Sequence, residues 1–279
     1  MPENLRTLKG RIRTARNIAQ LAKTLEMVSV SKIRRARTLA DTVRPYAERI
    51  TVLTENAMQS LSPDEKRHPY LKAAPVPARL VLAIGPDKGM CGPLVGNLVR
   101  NLAEAMDEHS LLITVGRKLE SAGARLAGSR LLASFPMGAR LPEYSLVFDL
   151  VQVINQQVLA GRVSGLDILY GRFVSYFVQT PTFQNVLPLA PAPAGSRPED
   201  FEPGSAELLS ALLPHFLEVR LFDAVVQAFS AEHAARMVAM QAAKDNALDI
   251  AETYTLLYNK TRQERITSEI LDLANKGKK

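Results

Sequence analysis

The sequence has no tryptophan and one cysteine, and aromatic residues make up only 6% of its 279 residues. The single cysteine, Cys91, excludes an internal disulfide and is compatible with a reducing compartment. No stretch approaches the ~18 consecutive apolar residues of a membrane-spanning helix, and the N-terminus shows no signal-peptide pattern. We therefore expect a chain that is neither secreted nor membrane-spanning.

Patterns of catalytic residues are missing as well. No paired carboxylates and no Ser/His/Asp arrangement stand out, so we expect neither an enzyme nor a cofactor site. The four histidines are scattered, without the spacing of metal ligands: His68, His109, His215 and His233.

Glycine is absent from the C-terminal stretch between Glu207 and Lys276, which contains one proline, Pro214. Apolar residues recur there mostly at steps of three or four, which predicts one long helix. At 1.5 Å per residue such a helix reaches roughly 100 Å, far more than the diameter of a small domain. The residues assigned to its buried face are Leu217, Leu221, Val225, Ala228, Ala231, Ala235, Val238, Ala242, Leu248, Ala251, Leu257, Ile266, Ile270 and Leu273.

The N-terminal stretch from Asn4 to Leu61 has the same character, with Pro45 and Gly10 as its only interior breakers. Its apolar steps average close to 3.5 residues, the spacing of a coiled-coil seam, with a register slip between Val28 and Ile33. The seam residues assigned before the slip are Leu5, Leu8, Ile12, Ala15, Ile18, Ala22, Leu25 and Val28, and those after it are Ile33, Ala36, Ala40, Val43, Ala47 and Ile50.

Neither helix can bury its apolar stripe alone, so we expect the two to pair. Both join the same intervening region, which makes the pair antiparallel. The predicted fold class is therefore α/β, with a long antiparallel coiled coil of the N- and C-terminal helices and a Rossmann-like α/β domain. The predicted domains are residues 1–68, 69–200 and 201–279.

The intervening region changes to short apolar runs after a proline-rich linker at residues 68–77. Strands that alternate with helices favour an α/β layer with a largely parallel core and antiparallel additions. A second linker covers residues 190–204. We expect strands at residues 79–84, 111–115, 131–135, 166–170, 174–178 and 183–187, and helices at 94–106, 117–126 and 146–159.

Positive charge is concentrated in the first helix. Residues 1–60 hold 12 Lys and Arg against 5 Asp and Glu, an excess of 7 that equals the net charge of the whole chain. The densest cluster consists of Lys32, Arg34, Arg35 and Arg37. Such a helix can face nucleic acid, an anionic membrane, an acidic protein surface or solvent. Nucleic acid is less favoured because no aromatic residue stands among the charges before Tyr46.

The first predicted strand runs into a glycine-containing turn between Gly85 and Gly92. Its spacing matches neither the dinucleotide-binding fingerprint nor the P-loop, so a tight strand-to-helix connection is favoured over a phosphate site. Cys91 stands beside this turn without a nearby histidine, which favours a small semi-buried residue over a nucleophile.

The two chain ends resemble the opening and closing helices of the gamma subunit of F-type ATP synthases. The N-terminal matches are Leu8-Lys9-Gly10-Arg11-Ile12-Arg13, Asn17, Lys23, Met27-Val28, Ser31-Lys32-Ile33-Arg34-Arg35-Ala36 and Arg44-Pro45-Tyr46-Ala47. The C-terminal matches are residues 230–240, Ala243, Asp245-Asn246-Ala247, Tyr258-Asn259-Lys260, Arg262-Gln263 and Ile266-Thr267-Ser268-Glu269-Ile270. In the middle, residues 87–92, 187–189 and 201–203 are similar to family positions, with Pro86, Pro93 and Phe201 as departures.

The resemblance implies a rotor shaft that transmits torque and carries out no chemistry of its own. The implied partners are the alpha and beta subunits of the catalytic hexamer, the epsilon subunit and the c-ring, with no nucleic acid. The implied location is the cytoplasmic face of a bacterial inner membrane, as a peripheral membrane protein. By the same resemblance Lys23, Arg236, Arg262, Gln263 and Thr267 contact the beta subunits.

The resemblance assigns the contact with the c-ring to Phe201 and Glu202. Two other classes of function stay open at this point. A coiled-coil adaptor or nucleic-acid-binding protein would also use long helices with a basic face. A small α/β enzyme would bind a mononucleotide at the turn between Gly85 and Gly92.

Overall fold

The computed structural model describes residues 4–61, 68–189 and 205–276, and for residues 205–206 and 272–276 it describes the backbone only. The chain divides into two compact units. Unit 1 consists of Met1–Ser29 and Arg236–Lys279, and unit 2 consists of Val30–Ala235. The predicted division at residues 1–68, 69–200 and 201–279 follows the sequence elements and stays a prediction.

Both predicted long helices are present. Helix α1 spans Leu5–Gln59 and contains Pro45, and helix α5 spans Ser205–Lys276 and contains Pro214. Each proline removes one backbone donor from its helix, yet both helices continue past it. The two helices contribute to both units, since the boundary between the units falls within each of them.

A five-stranded sheet forms the centre of unit 2, with the strand order β3-β2-β1-β4-β5. Neighbouring strands are parallel, except for the antiparallel pair β4 and β5. This arrangement confirms the prediction of a largely parallel core with an antiparallel addition. The strands are β1 (Leu80–Ile84), β2 (Leu111–Val115), β3 (Leu131–Phe135), β4 (Leu166–Phe173) and β5 (Gln179–Leu187), and the helices between them are α2 (Leu94–Ala105), α3 (Arg117–Ala127) and α4 (Tyr144–Val158).

The strand predicted at residues 174–178 is wrong. These residues form the turn between β4 and β5, in which the amides of Val174 and Ser175 donate to the Val178 carbonyl at 3.2 and 3.1 Å. The Ser175 hydroxyl accepts hydrogen bonds from the amides of Phe177 and Val178, at 3.3 and 3.1 Å. The apolar residues of this stretch resemble a strand in composition, but their backbone groups are bonded within the turn.

A buried ion pair joins the central strands to the edge strand. The Arg79 guanidinium donates to both carboxylate oxygens of Asp167, at 2.5 and 2.7 Å, and Asp167 is only 5% exposed. The Asn185 amide donates to the same carboxylate at 3.0 Å. Two-pronged contacts of this kind fix geometry as well as energy. They hold the start of β1, the start of β4 and the end of β5 in register.

In unit 1, α1 and α5 run antiparallel. Lys244 Nζ lies 3.1 Å from Glu26 Oε2, and the Arg11 guanidinium lies 5.4 Å from the Tyr254 ring centroid. From the first contact to the second, the residue number falls from 26 to 11 on α1 and rises from 244 to 254 on α5, so the two helices run in opposite directions. Small side chains dominate the seam between the helices: the fully buried residues include Ala15, Ala19, Ala22 and Ser29 on α1 and Ala247 and Ala251 on α5.

The predicted phase of the seam is wrong at several positions. Ile18 and Val28 are 49% and 46% exposed, while their neighbours Ala19 and Ser29 are buried. The seam therefore steps by four from Ser29 to the buried Ile33, and the expected slip after Val28 does not occur. Alanine and serine let the helix backbones approach closely, so the larger neighbouring side chains turn outward. On α5, Leu248 and Leu257 are exposed as well, and so is Ala242. Ile266 and Ile270 are exposed because they belong to residues 262–271, in which every side chain is exposed.

This phase predicts opposite outcomes for two aspartate substitutions in α1. Ala22→Asp places an unpaired carboxylate in the seam and should lower the free energy of unfolding by about 3 kcal/mol or more. Val28→Asp adds the same charge at an exposed position and should cost less than about 0.5 kcal/mol. Thermal unfolding of both variants, followed by far-UV circular dichroism, measures the difference. Equal losses would show that the seam is assigned wrongly.

Candidate functional site

Three of the predicted contact residues lie on the surface of unit 1. Arg262, Gln263 and Thr267 are exposed side chains on α5, and Thr267 is separated from Gln263 by one helical turn. The Thr267 hydroxyl donates to the Gln263 carbonyl at 3.0 Å, which directs this short side chain along the helix. Because positions i and i+4 share a helix face, Gln263 and Thr267 form one polar surface, with Arg262 beside it.

The fourth predicted residue of unit 1, Lys23, is an exposed side chain of α1. It belongs to a strongly basic stretch, since residues 5–29 contain six cations and one carboxylate, that of Glu26. All six cations are exposed: Arg6, Lys9, Arg11, Arg13, Arg16 and Lys23. Unit 1 therefore presents positive charge along α1, as expected for a surface that faces an acidic partner.

Arg236 differs from the other predicted residues because it is buried, with 6% of its surface exposed. Its neighbours along α5, Glu232 and His233, are buried as well. The proposed contact of Arg236 with a beta subunit stays a prediction. Phe201 and Glu202, the predicted contacts with the c-ring, lie outside the described residues.

The sequence analysis missed an apolar surface on the outside of the helices of unit 1. We call it the outer apolar surface. Exposed apolar side chains that group on a surface mark sites of protein interaction. The apolar pattern predicts several of its residues in the seam between α1 and α5. The alanines at positions 15, 19 and 22 are the sequence signal that gives the correct face of α1. The outer apolar surface consists of Ile18, Leu21, Met27, Val28, Leu248, Ile250, Leu256, Leu257, Ile266, Ile270 and Leu271, which are 39% to 66% exposed.

Two polar contacts tie the seam together beneath this surface. The Lys244 ammonium donates to the Glu26 carboxylate, and this hydrogen bond raises the pKa of Lys244. Arg11 lies over the ring of Tyr254, in cation–π geometry. Both contacts join α1 to α5 within unit 1. The side chains of Arg262 and Gln263 take no part in them and are exposed.

The turn after β1 is closed by its own aspartate. The Asp87 carboxylate accepts hydrogen bonds from the Arg117 amide at 3.0 Å, the Met137 amide at 3.2 Å and the Gly138 amide at 2.8 Å. Arg117 is the first residue of α3, so the carboxylate occupies the positive end of that helix. These bonds fasten the turn to α3 and to the segment after β3, as expected of a structural connection, and the preference for a structural turn over a phosphate site stays a prediction.

Close packing behind Asp87 also favours a fixed turn. Gly116 has a φ of +97°, and a Cβ there would lie 2.0 Å from the Gly85 carbonyl oxygen. Cys91 is 2% exposed and its thiol faces the Lys88 carbonyl at 3.8 Å, so it is an enclosed side chain. Within the described ranges, no three His, Cys, Asp or Glu side chains are grouped to hold a metal ion. In residues 4–61, 68–189 and 205–276, no helix has both the length and the apolar content for crossing a bilayer.

Removing the Asp87 carboxylate should destabilise unit 2. Asp87→Ala leaves three backbone amides without their acceptor, and we expect the free energy of unfolding to fall by about 1–3 kcal/mol. Asp87→Asn retains one acceptor oxygen and should lose less. Urea unfolding measures both, with Asp149→Ala, which removes an exposed carboxylate from α4, as the control. A loss no greater than that of the control would contradict the closing role of Asp87.

Comparisons with known proteins give the same relationship along nearly the whole chain. The sequence profile of the family described as ATP synthase matches residues 4–275. The ATP synthase gamma chain of Dehalococcoides mccartyi is 36% identical over 276 residues, which cover 97% of this chain and 96% of that one. The gamma chain of Methylacidiphilum infernorum is 33% identical over 287 residues, with 96% of each chain covered.

A solved structure supports the fold. A chain in the mitochondrial ATP synthase of Euglena gracilis, from an assembly of OSCP, F1 and c-ring, superposes with a TM-score of 0.71 at 20% identity. The match covers 98% of this chain and 93% of that chain. The predicted fold class, with terminal long helices and a mixed α/β domain, is confirmed.

Proposed function

The chain belongs to the ATP synthase gamma chain family, and on that premise we propose that it is the central-stalk rotor subunit of an F-type ATP synthase. It couples rotation of an ion-driven c-ring to ATP synthesis or hydrolysis in the beta subunits, and it is not itself catalytic. Its match to gamma chains over nearly its full length is the observation that carries this proposal.

The chemistry of unit 1 supports a shaft that turns inside a ring of alpha and beta subunits. The outer apolar surface offers contact area without directional hydrogen bonds, so its energy changes little as the shaft rotates. Each strong polar contact would add a barrier to rotation. The exposed polar side chains at the C-terminal end of α5 are therefore the ones that can distinguish one rotational position from another.

In this proposal the beta subunits contact three residues near the C-terminal end of α5, which are Arg262, Gln263 and Thr267. They also contact Lys23 on α1 and Arg236, which lies earlier in α5. A charge-assisted hydrogen bond from such a side chain contributes roughly 1.5–3 kcal/mol when it is desolvated, enough to favour one step without blocking the next. The basic α1 of unit 1 fits acidic loops of the beta subunits. Phe201 and Glu202 contact the c-ring, and unit 2 binds the epsilon subunit.

The location follows from the partners. We place the chain at the cytoplasmic face of a bacterial inner membrane, as a peripheral subunit held there by the c-ring. The alternative of a coiled-coil adaptor or nucleic-acid-binding protein has no support from the family match. The alternative of a mononucleotide-binding enzyme has no support from the family match either.

Reconstitution tests the proposal. The chain is mixed with alpha and beta subunits from the same source, complexes are isolated by size, and ATP hydrolysis is assayed with and without the chain. We expect a complex with one copy of this chain for three of each partner, and hydrolysis that depends on its presence. A chain that stays free, with hydrolysis unaffected, would refute the rotor assignment, and salt-dependent nucleic-acid binding would be measured next.

The double substitution Arg262→Ala/Gln263→Ala tests the polar contacts. Both side chains are exposed, so the chain should fold and assemble normally. Loss of contacts made at particular rotational positions should reduce ATP synthesis by about tenfold or more. Synthesis is measured in membrane vesicles that contain the assembled enzyme.

The matched control is Glu264→Ala/Ser268→Ala, which removes two exposed polar side chains, one helical turn apart, from the opposite face of α5. We expect this variant to synthesise ATP at the normal rate. Equal rates for the two double variants and the unmodified enzyme would remove Arg262 and Gln263 from the contact with the beta subunits.

A further inference from the structure

The connection between β3 and α4, residues 136–143, is held from two sides within unit 2. On one side, the amides of Met137 and Gly138 donate to the Asp87 carboxylate at 3.2 and 2.8 Å. Asp87 follows β1 in the middle of the sheet, and the Met137 side chain is 5% exposed within the main core. This side of the connection is therefore fastened to the sheet.

On the other side, the connection is fastened to α1. Lys32 Nζ donates to the Ala139 carbonyl at 2.7 Å, and its charge lies 6.0 Å from the centroid of the Phe229 ring. Phe229 belongs to α5 and is 1% exposed, with its ring edge-on to His233 at 4.5 Å between centroids. The ammonium of Lys32 thus lies between α5 and the connection.

The two attachments fall on consecutive residues. The Gly138 amide is bonded to Asp87 and the Ala139 carbonyl to Lys32. A single peptide unit therefore links the group held by the residue after β1 to the group held by α1. Both bonds involve an ionised group, which makes them stronger and more sensitive to direction than apolar contacts. Together they form a continuous path from the end of β1 to α1.

Two other contacts between the sheet and the long helices are less directional. Gly171 of β4 lies close to α5, where a Cβ on it would be 3.3 Å from Ala231 Cβ. The Arg37 guanidinium lies 5.9 Å from the Phe173 ring centroid at the end of β4. Contacts between small apolar groups, and between a cation and a ring face, change gradually when one surface moves over another. The bond of Lys32 to Ala139 breaks when the carbonyl moves by more than about 1 Å.

The residues of the basic cluster on α1 therefore have different surroundings. Lys32 is half-buried and directed at the connection, whereas Arg34 and Arg35 are exposed. We propose that Lys32 is a positioning residue that fastens α1 to the sheet through Ala139, so that torque passes between them without slippage. This inference rests on the proposed rotor function, because only a shaft under torque loads this bond.

Two substitutions at Lys32 separate the bond from the packing. Lys32→Met keeps the aliphatic stem beside Phe229 and removes the donor and the charge. Lys32→Arg keeps both. Arg34→Met removes one positive charge from an exposed site two residues away, which lies on a different helix face. All three variants are studied in the complex with alpha and beta subunits.

Hydrogen exchange measures the fastening itself. The amides of Met137 and Gly138 are protected by Asp87 only while the connection stays in place. Loss of a charge-assisted hydrogen bond increases the open fraction by about tenfold or more, so Lys32→Met should raise exchange at these amides by that factor. Exchange in Lys32→Arg and Arg34→Met should match the unmodified protein.

Single-molecule rotation measures the consequence for torque. A bead is attached to unit 2 through Ala124→Cys, an exposed position on α3, while Cys91 is buried and stays unlabelled. ATP-driven rotation should continue in Lys32→Met at a normal hydrolysis rate, because hydrolysis takes place in the beta subunits. The distribution of bead angles at each pause should broaden and the torque against viscous load should fall, whereas Lys32→Arg restores both.

The outcomes are distinct. If the unmodified chain does not assemble or rotate, the rotor function itself is wrong. If it rotates, and Lys32→Met shows the pause widths and torque of the unmodified chain, the fastening role is wrong and the rotor function stands. If Arg34→Met broadens the pauses as much as Lys32→Met does, the effect comes from the charge of the basic cluster and the proposal is overturned.

Discussion

Close approach of two helix backbones is the constraint from which the organisation of unit 1 follows. The seam is built mainly from alanine and serine, so most of its buried residues remove little apolar area from water. Leu8, which is fully buried, is an exception. Many of the larger apolar side chains of the same helices lie outside the seam. A coiled coil with leucine throughout the seam would have concealed them.

Unit 2 differs from unit 1 in the size of the side chains that it buries. Strands β1 and β2 are buried almost throughout, and the main core includes large side chains such as Phe222 and Phe229. The buried carboxylate of Asp167 is paired with Arg79. Unit 2 also exposes apolar side chains, among them Phe177 at 73%. A seam of small residues with larger apolar side chains outside it agrees with a rotor subunit whose unit 1 contacts surrounding proteins.

Elements with one dominant signal can be predicted from the sequence. Continuous apolar runs predict β1 and β2, and apolar steps of three or four without glycine predict α5. Elements with two competing signals are predicted wrongly. Residues 174–178 have the composition of a strand, but the hydroxyl of Ser175 provides the hydrogen bonds of a turn. In the seam, the apolar pattern points to Ile18 and Val28 because their side chains are more hydrophobic than those of Ala19 and Ser29. The smaller side chains are nevertheless the buried ones.

The candidate contact residues came from family resemblance, and the structure adds their environment. Arg262 and Gln263 belong to residues 262–271 of α5, in which every side chain is exposed, whatever its position in the apolar pattern. The role of Asp87 could not be read from the sequence, because its three donors come from positions 117, 137 and 138, which only the fold brings together. Lys32 was visible as part of a basic cluster, but not as the residue that turns inward.

The carboxylate of Asp87 has a further consequence for the α/β domain. A covalently attached ligand has a high and constant effective concentration at its site, whatever the composition of the surrounding solution. The amides of Arg117, Met137 and Gly138 therefore have an acceptor that cannot diffuse away. This corner of the rotor takes its anion from the chain itself and does not depend on one from solution.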